Sequence, residues 1–345
     1  MPIYTPESHK YTRRVRQLGE GNGPVCSINS LSIFYIVELM GTTREGVTTV
    51  LKPTDPRYIK SQYRTSDKLE IIAETHRRFG VAQEDIFLAV TRKLLEVKPR
   101  SVNILDIGAG TGSWYKSVRS LAGSMPHYTG IDQSDGMVER LKTCFNGDPN
   151  ARALVGDAQS LDFDNESFDC VGMHFVLYFL ADMRAGLMEA WRLLKPTGVL
   201  VCATNVRRPH RELWDLQEQA VQQLGLAGTE NTITASDRFH LDNGAEFFPK
   251  APVIYRWAAG FRFDDPEAVV RYVAAGPIRK HLGDQADNPE ILEQTLGWIR
   301  SQVSKKIAEE GAFTVGNEVG FFLVEKWIPS PLLASRILLC TPLGI

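Results

Sequence analysis

Residues 105–112 read LDIGAGTG: an apolar run that closes on an acid, then glycines at positions 108, 110 and 112. A strand that ends in such a turn lets backbone N–H groups come close to a ligand, because glycine tolerates the left-handed conformations the turn needs. The dinucleotide fingerprint is G-x-G-x-x-G. The GxGxG spacing here misses it by one position. Asp106 lies inside the strand, two residues before the first glycine. A carboxylate there can meet an ammonium or sulfonium group, but is unfavourable beside a pyrophosphate.

Outward from the turn, strands and helices alternate. SVNILDIG (101–108), HYTGID (127–132), ARALVGD (151–157), the start of FDCVGMHFVLYF (168–179) and GVLVCATN (198–205) read as short strands. MVERLKTCF (137–145) and AGLMEAWRLL (185–194) carry helical spacing. This rhythm gives parallel βαβ units and a doubly wound α/β sheet. Pro196 is expected to stop the second helix, with Gly198 opening the next strand. Upstream, Leu69, Ile72, Ala73 and His76, then Ile86, Val90 and Leu94, fall three or four apart, so 55–98 reads as helical. Downstream, 207–226 reads as one amphipathic helix, 228–244 as a polar loop, 253–263 as a strand and 265–276 as a short helix. AFTVGNEVGFFLVEK (312–326) is a strand in which Gly316-Asn317 predicts a hairpin or bulge.

The 345 residues are 43% apolar and 23% charged, the profile of a soluble globular chain with a full core. Lysine and arginine number 39 against 41 acids, a formal net charge of −2. No positive excess exists to neutralise a phosphate backbone, so nucleic acid is not an expected partner. The five cysteines (Cys26, Cys144, Cys170, Cys202, Cys340) form no CxxC pair, which argues against a disulfide framework or zinc site. No HExxH motif or Cys/His cluster is present and no DxD pair has plausible ligand spacing, so no metal is expected. The N-terminus lacks the basic-then-apolar order of a signal peptide, and LSIFYIVELMG (31–41) is too short to span a bilayer. A cytoplasmic protein without membrane contact is therefore expected.

The GxGxG turn preceded by Asp106 resembles motif I of the class I S-adenosylmethionine (SAM)-dependent methyltransferases. Three further stretches extend the resemblance in order. Asp132 closes the next strand, where a carboxylate can accept both ribose hydroxyls, although a NAD-binding protein would use the same device. Asp157-Ala158 ends the third strand in GDA, the place where family members hydrogen-bond the adenine amine. DFDNESFDCV (162–171) and LLKPTGVLV (193–201) look like the family's entry into its fourth and fifth strands. Flanking stretches widen the likeness to about residues 55–326 and resemble the UbiE-like (methyltransferase type 11) small-molecule subgroup. Ile72 stands where an arginine is expected.

The resemblance implies a seven-stranded Rossmann-like methyltransferase sheet within 99–326. A helical cover over 1–98, a substrate-side insertion at 206–250 and a C-terminal tail at 327–345 would complete it. It implies SAM as cofactor, held by Asp106, Gly108, Gly110, Gly112, Asp132, Gln133, Asp157 and Ala158. Tyr63 and Arg64 would reach the cofactor's carboxylate.

Methyl transfer displaces an already activated leaving group, so alignment supplies most of the rate and a base is needed only for some nucleophiles. The exit of the fourth strand, GMHFVLYFLAD (172–182), is the expected place. His174 is expected to face that crevice, as base, substrate holder or cofactor contact. Tyr178 either stacks on substrate or belongs to the core, and Met137 likewise touches cofactor or packs. His76 reads as a packed histidine, while nothing separates His210 and His240 from surface histidines. The resemblance thus implies a SAM-dependent methyltransferase with a small-molecule O, N or C acceptor. An RNA or protein methyltransferase, or a SAM-binding protein that does not methylate, is the alternative. The oligomeric state is open, a homodimer included.

Overall fold

The computed structural model describes residues 66–326, apart from 83, 101–102, 125, 227–234 and 276–277. Helices α1 (Ser66–Phe79) and α2 (Ile86–Val97) precede strand β1 (Asn103–Ile107). Then come α3 (Ser113–Leu121), β2 (His127–Asp132), α4 (Asp135–Phe145), β3 (Ala151–Val155) and β4 (Phe168–Met173). A 3₁₀ turn (Leu177–Phe179), α5 (Met183–Leu193), β5 (Leu194–Asn205) and α6 (Arg211–Gln223) follow. The chain closes with β6 (Val253–Phe263), α7 (Pro266–Ala274), α8 (Pro289–Glu310) and β7 (Phe313–Glu325).

The seven strands form one sheet in the order β3-β2-β1-β4-β5-β7-β6. The first five are parallel, and β7 runs antiparallel to both β5 and β6. Every residue of β4 is buried, as are those of β5 from Gly198 on. Strands buried on both faces need helices on both sides. Ile86, Val90 and Leu94 of α2 enter the sheet's own core, so this helix, within the stretch read as cover, is part of the sheet's packing. Asp85 starts it by accepting from the N–H groups of Phe87 and Leu88.

Four local expectations change. α5 ends at Leu193, and Lys195-Pro196-Thr197 already belong to β5, whose pairing with β4 shifts register between Phe168 and Cys170. A proline is tolerated there because the ladder is irregular. Gly316-Asn317 makes no turn: β7 runs straight through, with Gly260 opposite Gly316. A Cβ on Gly260 (φ 139°) would stand 2.0 Å from the Val315 carbonyl oxygen, so glycine serves close backbone approach at this crossing. α6 begins four residues late because Arg208 and His210 hold φ of 54° and 58°. The sequence reading passed over α8, although Asn288 caps it, Pro289 opens it and Gly311 (φ 77°) ends it.

A second apolar cluster joins Phe79 of α1, Leu213 and Ala220 of α6, Tyr272 of α7 and Ile299 of α8. They pack on Phe261 and Phe263 of β6 and Phe313 and Val315 of β7, beyond the carboxyl end of β5. Met137, from the first turn of α4, belongs to this cluster. The cap therefore draws on 264–312 as well as on the expected insertion, and stands over the carboxyl edge of the sheet. Among the described residues, no helix is long and apolar enough to cross a membrane.

Candidate cofactor site at the carboxyl edge of the sheet

The glycine turn is built from three left-handed residues, with φ of 74°, 52° and 80° at Gly108, Gly110 and Gly112. The N–H groups of Gly108 and Ala109 both donate to the Ile131 carbonyl, at 2.8 and 2.9 Å, and tie the turn to the end of β2. Side chains would act differently at the three glycines. A Cβ on Gly108 would lie 2.6 Å from Val176, and one on Gly112 2.9 Å from Cys144 and Leu141. A Cβ on Gly110 would meet nothing within 4 Å among the described residues. Two glycines thus serve packing, and the middle one borders open space.

Asp132 stands beside that space. Its carboxylate accepts from the Gly110 N–H (3.1 Å) and the Ser134 N–H (2.9 Å). Burial nevertheless pushes its pKa up to about 6. The Gln133 side chain is exposed, and its backbone N–H also favours the Asp132 carboxylate. α3 starts at the turn with no side chain capping it, which leaves its positive end facing the same edge. Asp157 is exposed, with its carboxylate held by the backbone and side-chain N–H groups of Gln159, and Ala158 is buried. The Gln159 amide oxygen accepts from Asp182, joining the exit of β3 to the start of α5.

Asp106 lies elsewhere than expected. It pairs in register with Gly130 and Gly172 and is 2% exposed, with Tyr128 Oη donating to it at 2.6 Å. Burial, with a smaller push from Asp132, raises its pKa to about 7. It acts from beneath the turn, not from the crevice wall.

His174 is also a correction. Its ring is 1% exposed and sits edge-on to Trp114 (4.5 Å) and Phe87 (5.4 Å). Burial lowers its pKa to about 3. The imidazole is neutral but a poor base near neutral pH. Tyr178 is buried, with its ring edge-on to Phe179 at 4.5 Å. Met137, fully buried, packs as well. His76 and His210 are buried against Phe261, the first edge-on and the second stacked on its ring, and His240 is buried too, so none is a surface histidine. Tyr63 and Arg64 lie outside the described residues.

The sequence reading missed the bend after β4. Phe175 holds φ 55° while its N–H donates to the Ala203 carbonyl, and this brings Val176 under Gly108. It also missed Arg238, whose guanidinium donates to the Tyr178 and Ala181 carbonyls and latches the insertion to the β4 exit. No sequence pattern marks either one. Among the described residues, no group of three or more His, Cys, Asp or Glu side chains could hold a metal ion.

The space beside Gly110, the positive helix end and the Asp132 carboxylate suit a ligand that carries both an anionic group and hydroxyl donors. Residues 105–202 match the family model described as a methyltransferase domain. The chain is 31% identical over 213 residues to a demethylmenaquinone methyltransferase of Clavibacter sepedonicus, which covers 61% of this chain and 83% of that protein. It is 37% identical over 103 residues to a demethylmenaquinone methyltransferase of Staphylococcus aureus, covering 30% and 43%. Among solved structures it is similar to the YcgJ protein of Bacillus subtilis, with a TM-score of 0.45, 17% identity and coverage of 70% and 98%. It is also similar to SAM-bound CalS10, an amino pentose methyltransferase, with a TM-score of 0.30, 26% identity and coverage of 34% and 48%.

Proposed function

Because the chain belongs to the class I SAM-dependent methyltransferases, we propose that it transfers the methyl group of SAM to a small molecule held between the sheet edge and the cap. The observation that carries this reading is Asp132 bonded to the Gly110 N–H beside open space. When bound, SAM supplies a methyl group on a positively charged sulfur, a leaving group that needs no further activation. The chain's residues bind and align. Asp132 would accept from the ribose hydroxyls, the uncapped start of α3 would hold the carboxylate, and Gly110 would leave room for the cofactor against the backbone. The bend at Phe175 and Val176 supports the turn from below. The apolar cap over Met137 keeps water out of the crevice.

The relatives are named for methylation of demethylmenaquinone, which supports a small-molecule acceptor here. The experiment is turnover of SAM to S-adenosylhomocysteine with a panel of phenols, amines and quinols. Product with at least one is expected. SAM binding without product across the panel, or with product only on RNA or protein, would overturn the small-molecule reading.

A pH dependence follows from the two acids. Both titrate above their unfolded value of about 3.9, at about 7 for Asp106 and about 6 for Asp132. The ligand-free fold therefore prefers them protonated, and their contribution to its stability declines as pH rises from about 4 through 7. A cationic cofactor prefers them ionised. SAM affinity is expected to rise by about tenfold or more between pH 5.5 and 7.5. A flat calorimetric profile over that range would exclude the linkage.

A further inference from the structure

Three ring nitrogens lie buried beneath the glycine turn without a hydrogen-bond partner: Nδ1 and Nε2 of His174, and Nε1 of Trp114. Both residues are 1% exposed. Buried polar atoms in folded proteins almost always have partners, and ordered water supplies those that the chain does not. The two rings stand 4.5 Å apart, over Gly172. A Cβ there would lie 2.2 Å from the Trp114 ring and 2.7 Å from His174 Nε2, so the arrangement exists only because residue 172 is glycine.

Gly172 is also the register neighbour of Asp106. Neighbouring parallel strands run about 4.8 Å apart with side chains of paired residues on the same face, which sets the Asp106 carboxyl beside the two rings. Tyr128, which donates to Asp106, has its ring 6.0 Å from that of Trp114. No direct hydrogen bond or ion pair joins His174 to Asp106, and a polar separation beyond hydrogen-bond reach is where a bridging water fits.

We propose that Trp114 and His174 line a buried water site beneath the turn, and that its water holds Asp106 towards the cofactor. The indole N–H and the protonated nitrogen of the neutral imidazole donate to water oxygen, and water donates to the Asp106 carboxylate. His174 is then a positioning residue, not a base. The other titratable groups around Asp106 are Tyr128 and Asp132 on β2 and Cys170 on β4, with Cys144 of α4 beyond Tyr128. Tyr128 and Cys170 are held neutral by burial, so Asp106 is left to respond to the water and to the cofactor's charge.

The inference rests on SAM as the ligand, and its test separates the two. SAM affinity is measured by calorimetry between pH 5.5 and 8.5 for the wild-type protein, His174→Phe and His174→Asn, and a crystal structure of the wild-type protein is examined for the water. His174→Phe removes the water's partner, so the pH midpoint is expected to move up by about one unit and SAM to bind about five- to tenfold more weakly at pH 7. His174→Asn, which keeps a donor and an acceptor, is expected to hold the wild-type midpoint. Trp114→Phe gives the same direction of shift with a smaller amplitude, and serves if His174→Phe does not fold. An unchanged midpoint in the Phe variants, or no water within hydrogen-bond distance of Trp114 Nε1, overturns the water site while leaving the cofactor reading intact. A wild-type protein that binds no SAM at any pH overturns both.

Discussion

Gly110→Ala is expected to weaken SAM binding by roughly 100-fold, about 2.7 kcal/mol, while the ligand-free protein keeps its fold. The added methyl group meets nothing within 4 Å among the described residues, so none of their packing is disturbed. The only cost to folding is the left-handed backbone at φ 52°, about 1–2 kcal/mol for an L side chain. Gly147→Ala separates the two effects. Gly147 has φ 74° and equally open surroundings, but lies in the turn beyond α4, away from the crevice. Its alanine variant carries the same kind of backbone cost with no ligand to obstruct. Calorimetric titration of both variants, with thermal unfolding alongside, checks the contrast. Equal SAM affinity in Gly110→Ala and wild type would show that the cofactor does not lie over the turn.

Asp132→Ala is expected to cost between tenfold and a thousandfold in SAM affinity. A hydrogen bond to a charged group is worth about 1.5–3 kcal/mol, and the carboxylate would make such bonds to the ribose. The variant also strands the N–H groups of Gly110 and Ser134, which now share that carboxylate. The shape of the turn is therefore expected to loosen together with the affinity. Asp132→Asn keeps one acceptor oxygen in place and is expected to recover part of the loss. Binding untouched in Asp132→Ala would mean that β2 does not deliver the ribose contact.

The parallel core was legible because its signals are local. Each strand from β1 to β5 is a short apolar run, the helices between them repeat at three and four, and the turn is written in glycines. The places of the glycine turn and of Asp132 were legible for the same reason: the turn follows directly on β1 and Asp132 ends β2, where position in the chain decides position in space. What went astray were cases where one residue type serves two physical purposes. Glycine at 316 looked like a turn and proved to be a close crossing of β6 and β7. His174 looked like a crevice residue because it follows β4, yet a strand exit does not decide which face its side chain takes.

By itself the sequence determined the doubly wound sheet, the glycine turn that follows β1 and the acid that ends β2. These follow from hydrophobic periodicity and from backbone conformations open to few residues. Only the tertiary structure decided the rest. It moved Asp106 and His174 under the turn, joined α1 with α6, α7 and α8 into one cap, and set Phe175 and Val176 beneath Gly108. The reason is that burial and ring packing depend on neighbours far apart in the chain. A carboxyl group that titrates near 7 or an imidazole that titrates near 3 is a property of that surrounding shell, and no stretch of sequence carries it.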